Sequence, residues 1–255
     1  MSQIVSSDSR RERDAPLSEQ AYRALRSAIM AGAYRPGDKL KMEALQDSFS
    51  FSSTPLREAL NRLVVEGLVT ADERRGFRAA VLSESDLMDL TAARLVCEPG
   101  ALAVSVLRGD DEWESRVVAA HHRLEWIEKR IANNELAHNE DWTARHKDFH
   151  MALIAGCRSE RLLNVCSNLF DQAERYRRAS VQVRTKPRDI SSEHRALMQA
   201  ALGREGPRAA QLLERHISLT TDNLLKHMGE KSLGQPKGKP QSTPKKHGKK
   251  NGQSH

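Results

Sequence analysis

From residue 83 to residue 228 the chain has almost no proline and few glycines, and apolar residues recur throughout at helical spacing. A stretch of that length without breakers has few folds open to it, chiefly long helices that bury their apolar stripes on one another. Six helices are expected, over 84–107, 111–133, 139–156, 159–180, 188–203 and 205–227. Their boundaries are signalled by Ser83, Gly109-Asp110-Asp111, Gly156, Pro187 and Gly203–Pro207. Short connections between long helices imply an antiparallel bundle.

Residues 16–82 follow a different pattern. "LSEQAYRALRSAIMAG" is expected to be a helix capped by Ser18, with Tyr22, Leu25 and Ile29 on its apolar face and Gly32 at its end. "YRPGDKL" is a turn, and "KMEALQDSF" a short second helix. "TPLREALNRLVVEG" is a third, with Ser52 or Ser53 as N-cap and Pro55 in the first turn, where its missing N–H is harmless. Leu56, Leu60, Leu63 and Val64 form its buried stripe. "LVTADERRGFRAAVL" then supplies two short β-prone runs, Leu68–Thr70 and Gly76–Val81, around a polar turn. Helix, helix, turn, helix, hairpin is the order of a winged helix-turn-helix. The chain as a whole is therefore expected to be mainly α. A disordered 1–15 precedes a winged helix over 16–82 and an all-helical domain over 83–228, and a disordered Lys-rich tail over 229–255 ends it.

The net charge of +7 describes that tail alone. Residues 231–255 hold seven of the 41 Lys and Arg and no acid, so residues 1–230 carry 34 charges of each sign. A basic pI is thus no evidence that the folded body binds nucleic acid. No apolar run approaches the roughly 20 residues of a membrane span, and the polar N-terminus lacks a secretory core. Cys97, Cys157 and Cys166 lie far apart without CxxC spacing, which is expected of reduced thiols in a cytoplasmic protein.

The third helix carries the DNA-reading signal. A recognition helix needs small polar residues at its N-terminal end to approach base edges and phosphates. It also needs an Arg one turn in, placed for a bidentate contact. Ser52, Ser53, Thr54 and Arg57 have that arrangement, although Arg57 paired with Glu58 or Glu66 on a solvated surface fits the same residues. With "RPGDKL" before it and "RRGFRAAVLSESDL" after it, "SSTPLREALNRLVVEGLV" resembles the GntR-type transcription regulators. "DLMDLTAARLVCEPGAL" resembles the start of the helical ligand-binding FCD domain of their FadR-like subgroup. The resemblance implies that Ser52, Ser53, Thr54 and Arg57 contact operator DNA, with Arg75, Gly76 and Arg78 of the wing near the minor groove. That group usually has Arg where this chain has Ser53, so the operator sequence does not carry over.

"RHKDFHMAL" places His146 and His150 on one face of the third bundle helix, four residues apart. His194 in "SSEHRALMQAAL" and His216 in "LLERHISL" follow on the fifth and sixth helices. His150 keeps register with Leu153, Ile154 and Cys157, His194 with Leu197 and Ala201, and His216 with Leu212, Leu213 and Leu219. That register fits inward-facing metal ligands and hydrogen-bonded core histidines equally. The FCD resemblance implies a divalent metal site at His150, His194 and His216, with His146 in the place of an Asp. An all-imidazole set favours Zn²⁺ or Ni²⁺ over Mg²⁺ or Mn²⁺. "RHKDFH" also looks like a damaged HExxH protease signature. The general base is missing, because Lys147 follows the first His, so no enzyme is expected.

What the resemblance implies as a whole is a cytoplasmic, homodimeric regulator, by default a repressor, that binds double-stranded operator DNA. A small organic-acid effector would sit beside the metal, met by Arg94, which equally fits an i,i+4 pair with Glu98. The run Arg175, Arg177, Arg178, Arg184, Lys186, Arg188 is expected to be a solvated face.

Overall fold

The computed structural model describes residues 15–72, 76–132, 140–180 and 189–233. Helix α1 (Leu17–Met30) buries Ala21, Leu25 and Ile29, one residue per turn, and α3 (Ser53–Val65) faces it with Leu56, Ala59, Leu60 and Leu63. Between them α2 (Met42–Phe49) contributes Leu45 and ends at Ser50 in the left-handed region, φ 57°. Ser18 is not the cap of α1. Pro16 holds that position with no side-chain bond, and its carbonyl accepts from the amides of Glu19 and Gln20. The other end agrees with the sequence, since Gly32 follows the helix at φ +79°.

Strands β1 (Val69–Asp72) and β2 (Gly76–Ala79) pair antiparallel, with Val69 opposite Ala79 and Asp72 opposite Gly76. They sit slightly off the runs expected. Lys39, from the turn after α1, adds a single bridge to Arg78 and ties the wing to the helices.

The second part is the helical bundle: α4 (Glu84–Arg108), α5 (Asp111–Ala132), α6 (Glu140–Ile154), α7 (Glu160–Ser180), α8 (Ile190–Leu202) and α9 (Gly206–Leu233). The Ser83 hydroxyl caps α4 by accepting from the Asp86 amide. Two boundaries differ from expectation. Helix α6 tightens into a 3₁₀ turn at Ala155–Cys157, and α9 runs on to Leu233 through residues expected to be disordered. A single glycine inside a helix costs only about 1 kcal/mol, so Gly229 followed by Glu230 and Lys231 does not stop it. The rest of the N-terminal segment and of the Lys-rich tail lies outside the described residues.

Helix α4 is the centre of the bundle, packing on α6, α7 and α9. By length and composition it is apolar enough to cross a membrane, contrary to the sequence expectation. In the fold its apolar side joins the core of Trp113, Leu124, Ile127, Phe149, Leu153, Leu197 and Leu213, and it carries a buried Arg94–Glu98 pair. The Ser105 hydroxyl donates to the carbonyl of Ile154 at 2.6 Å, and a Cβ on Gly156 would meet the Ser105 carbonyl at 2.8 Å. Only glycine allows so close an approach of α4 and the end of α6. Cys97, Cys157 and Cys166 are free thiols.

Helix α7 links the two parts. Its Asp171 pairs with Arg26 of α1, Arg175 donates to the carbonyl of Ala80, and the Tyr176 hydroxyl bonds Ser83 and Asp86 at the start of α4.

Candidate DNA-reading face and metal centre

At the start of α3 the helix period separates two sets of side chains. Pro55 and Leu56 turn into the core, while Ser52, Ser53, Thr54 and Arg57 are exposed together. Ser52 is the N-cap residue, so the polar group stands at the positive end of the helix dipole, suited to phosphate. Among the described residues Arg57 makes no ion pair with Glu58 or Glu66. Glu66 is held instead by the Tyr22 hydroxyl and by Arg26 at 3.1 Å. On the wing, Gly76 is exposed at φ +74°, and Arg78 donates to the Gly37 carbonyl at 2.9 Å. Arg78 thus braces the wing against the turn before α2. Arg75 lies outside the described residues.

The four histidines converge, His150, His194 and His216 facing inward as their register implied and His146 joining them. His146 and His150 come from α6, His194 from α8 and His216 from α9, and all four are buried. One ring nitrogen from each lies within 4.8 Å of the others, so the set could hold one ion. Ring centroids are 4.5 Å apart for His146 and His150 and 5.0 Å for His194 and His216. Burial above all, then the neighbouring cations and imidazoles, holds His146 and His150 well below the ordinary histidine range. They are therefore neutral, the form that binds a metal.

A second set of groups orients these rings. The Glu128 carboxylate faces His194 Nδ1 at 3.0 Å and the Glu193 carboxylate faces His216 Nδ1 at 2.8 Å. A carboxylate accepts, so each ring donates from Nδ1, which leaves Nε2 as the nitrogen that could ligate an ion. The Nε2 atoms of His150 and His194 are buried with no hydrogen-bond partner among the described residues. Orphaned buried imidazole nitrogens are the donor set a borderline divalent ion takes. Sequence reasoning missed both carboxylates. Glu193 precedes His194 but serves a histidine on the next helix, and Glu128 lies 66 positions from its partner.

The walls are aromatic and cationic. Trp142 stacks on His146 at 4.5 Å, and Phe170 packs on both His146 and His150. Arg177 was expected on a solvated face. It reaches inward instead, with Nη2 3.2 Å from His146 Nδ1 and its guanidinium 4.4 Å from the Trp142 ring centre. Arg178 also turns to Glu174, while Arg184, Lys186 and Arg188 lie outside the described residues. Arg94 forms the pair with Glu98, at 2.6 and 3.1 Å, and lies 5.6 Å from the ring centre of Phe170, which packs on His146 and His150. Asp148 is exposed, and Lys147 pairs with Asp171 at 2.6 Å.

A winged helix joined to a bundle with a buried polar centre is the build of a ligand-responsive DNA-binding regulator. Residues 17–78 match the family described as bacterial regulatory proteins of the gntR family, and residues 89–219 match the FCD domain. The HTH-type regulator BphR of Paraburkholderia xenovorans is 38% identical over 79% of this chain and 82% of its own length. The HTH-type repressor GlaR of Escherichia coli is 37% identical over 78% of this chain and 92% of its own. The solved structure of E. coli McbR/YncC shares the fold with a TM-score of 0.70 at 17% identity, covering 84% of this chain and 99% of that one. This chain belongs to the GntR family, with an FCD effector-binding domain, and is a DNA-binding transcription regulator rather than an enzyme.

Proposed function

We propose that the protein is a cytoplasmic, homodimeric repressor whose operator binding is set by a small organic acid held beside a divalent metal in the bundle. The observation that carries this is the buried cluster His146, His150, His194, His216, with its orphaned ring nitrogens and its carboxylate-oriented rings. Zn²⁺ or Ni²⁺ suits a set of neutral imidazoles. The metal would supply a Lewis-acidic position for a carboxylate, and Arg177 and Arg94 add positive charge near it. Repression accords with the name of the relative GlaR.

Two winged helices reading a pseudo-palindromic operator require a dimer. Helix α4 leaves Met88, Val96 and Leu107 exposed on one side, at 61%, 80% and 81%, and α7 adds Val165. Apolar side chains in that number on neighbouring helices suit a second copy of the chain.

The test is a thermal-shift screen of small carboxylic acids on untagged protein, with and without Zn²⁺ or Ni²⁺. Stabilisation by an acid only when metal is present, together with weaker operator binding, is the expected result. Less than about 0.2 metal per chain after reconstitution, with no thermal shift on chelation, would reduce the histidines to core residues.

A further inference from the structure

Asp171, Gln172, Arg175 and Tyr176 share one side of α7 and meet the winged helix and the segment that joins it to the bundle. Asp171 pairs with Arg26 of α1. The Gln172 amide lies on the turn after α3, where a Cβ on Gly67, at φ +70°, would stand 3.1 Å from it. Arg175 donates to the carbonyl of Ala80, just past β2, at 2.5 Å. The Tyr176 hydroxyl accepts from the Ser83 amide at 3.2 Å and donates to the Asp86 carboxylate.

The first three contacts gather at the base of the recognition helix. Arg26 also holds Glu66, the C-cap residue of α3, at 3.1 Å, and Gly67 follows it. The Ala80 amide donates to the carbonyl of Leu68, the next residue on. Domains joined by a linker alone move freely by default. Here the base of α3 is held against α7 by an ion pair, a packed amide and a hydrogen bond on three elements. Its other end, Ser52 to Arg57, is exposed. At 13 residues α3 is about 20 Å long, so a tilt of about 10° at the base moves the reading end by about one base-pair step. Small slack at α7 is therefore large at the DNA.

We infer that Asp171, Gln172 and Arg175 are positioning residues for operator reading, which fix the distance and rotation between two recognition helices and so the half-site spacing the regulator accepts. The inference rests on the homodimer proposed above and goes beyond it by assigning spacing selectivity to named side chains. One added base pair shifts a half-site by about 3.4 Å and turns it by about 35°. Two recognition helices fixed on their bundles cannot follow that change, so only one half-site engages. The gain from the second contact, about 100-fold or more, is then lost. A winged helix released from α7 keeps its reading surface and follows the displaced half-site.

The experiment uses the full-length chain and duplexes selected by it from a random DNA library. The selected half-site is rebuilt as a single copy and as pairs, at the selected spacing and at one or two base pairs more or fewer. Anisotropy gives the affinities, and sedimentation gives the number of chains, free and on DNA. The native chain should lose about 100-fold or more away from the selected spacing. With Gln172→Ala and Arg175→Met combined, that loss should shrink to less than about tenfold. Affinity for the single half-site and the thermal midpoint should stay near native, which a merely destabilised fold would not allow. Arg175→Lys keeps a donor to Ala80 and should retain most of the native discrimination. A double variant weakened equally at every spacing overturns the assignment. A native dimer indifferent to spacing also overturns it and leaves the homodimer intact. A native chain that sediments as a monomer, free and on DNA, overturns both.

Discussion

Arg26 of the DNA-binding domain and Asp171 of the bundle form an ion pair across the junction between the two parts, and Asp171 also accepts from Lys147 at 2.6 Å. Lys147 follows His146 on α6, and Arg26 also holds Glu66, the C-cap residue of α3. A shift of α6 on ligand binding therefore has a contiguous polar route to the recognition helix. Asp171→Asn is expected to reduce the effector's influence on operator affinity by about 0.5–2 kcal/mol. Fluorescence anisotropy with operator DNA, with and without metal and acid, measures it. An unchanged ratio would assign the pair to packing alone.

Arg57 is exposed one turn into α3, beside Ser53 and Thr54, and is not tied to Glu58 or Glu66 among the described residues. Arg57→Ala is expected to weaken operator binding by about 1–3 kcal/mol. The thermal midpoint should stay near that of the native chain, because the side chain is exposed. A gel-shift titration showing unchanged affinity would remove Arg57 from the reading surface.

Glu128 and Glu193 orient the rings of His194 and His216. Glu128→Gln and Glu193→Gln should each weaken Zn²⁺ or Ni²⁺ binding about 10–100-fold, because an amide fixes the ring tautomer less strongly. Chelation of the loaded native protein should lower its thermal midpoint by on the order of 5–10 °C, from binding energy converted at the usual slope for this size. His194→Ala should show no such response. Calorimetric scans with and without chelator decide the matter.

Glu125 on α5 joins Arg195 of α8 at 2.5 Å and Lys129 at 3.1 Å. These cations, Arg195 first, hold its carboxyl down to about 2, against an ordinary value of 4.5. A carboxyl with a lower pKa folded than unfolded contributes stability above its ordinary value, lost as pH falls from about 4.5 toward 2. Solvent screening limits the contribution to below about 1 kcal/mol. Glu125→Gln should thus be slightly less stable than the native chain at pH 7, and the gap in urea midpoints should narrow between pH 5 and pH 3. A gap that stays constant would rule out the ion pair as its source.

Much of this protein was legible in its sequence because the relevant signals are local. The long breaker-poor stretch became six helices, and Leu56, Leu60 and Leu63 became the buried stripe of α3. The register of His150, His194 and His216 with their apolar neighbours put all three inward, since a helix fixes which face a residue occupies before any partner is known. What faces those residues is set by packing between segments distant in the chain. Arg26 meets Asp171 across 145 positions, Glu128 meets His194 across 66, and Arg177 meets His146 across 31. None of these contacts leaves a periodic trace, and each depends on how distant helices pack, α1 on α7, α5 on α8 and α6 on α7. The sequence alone determined that imidazoles would gather in the bundle. Only the tertiary structure decided which of them face carboxylates and which faces a guanidinium, because the partner across the interface fixes the proton on each ring.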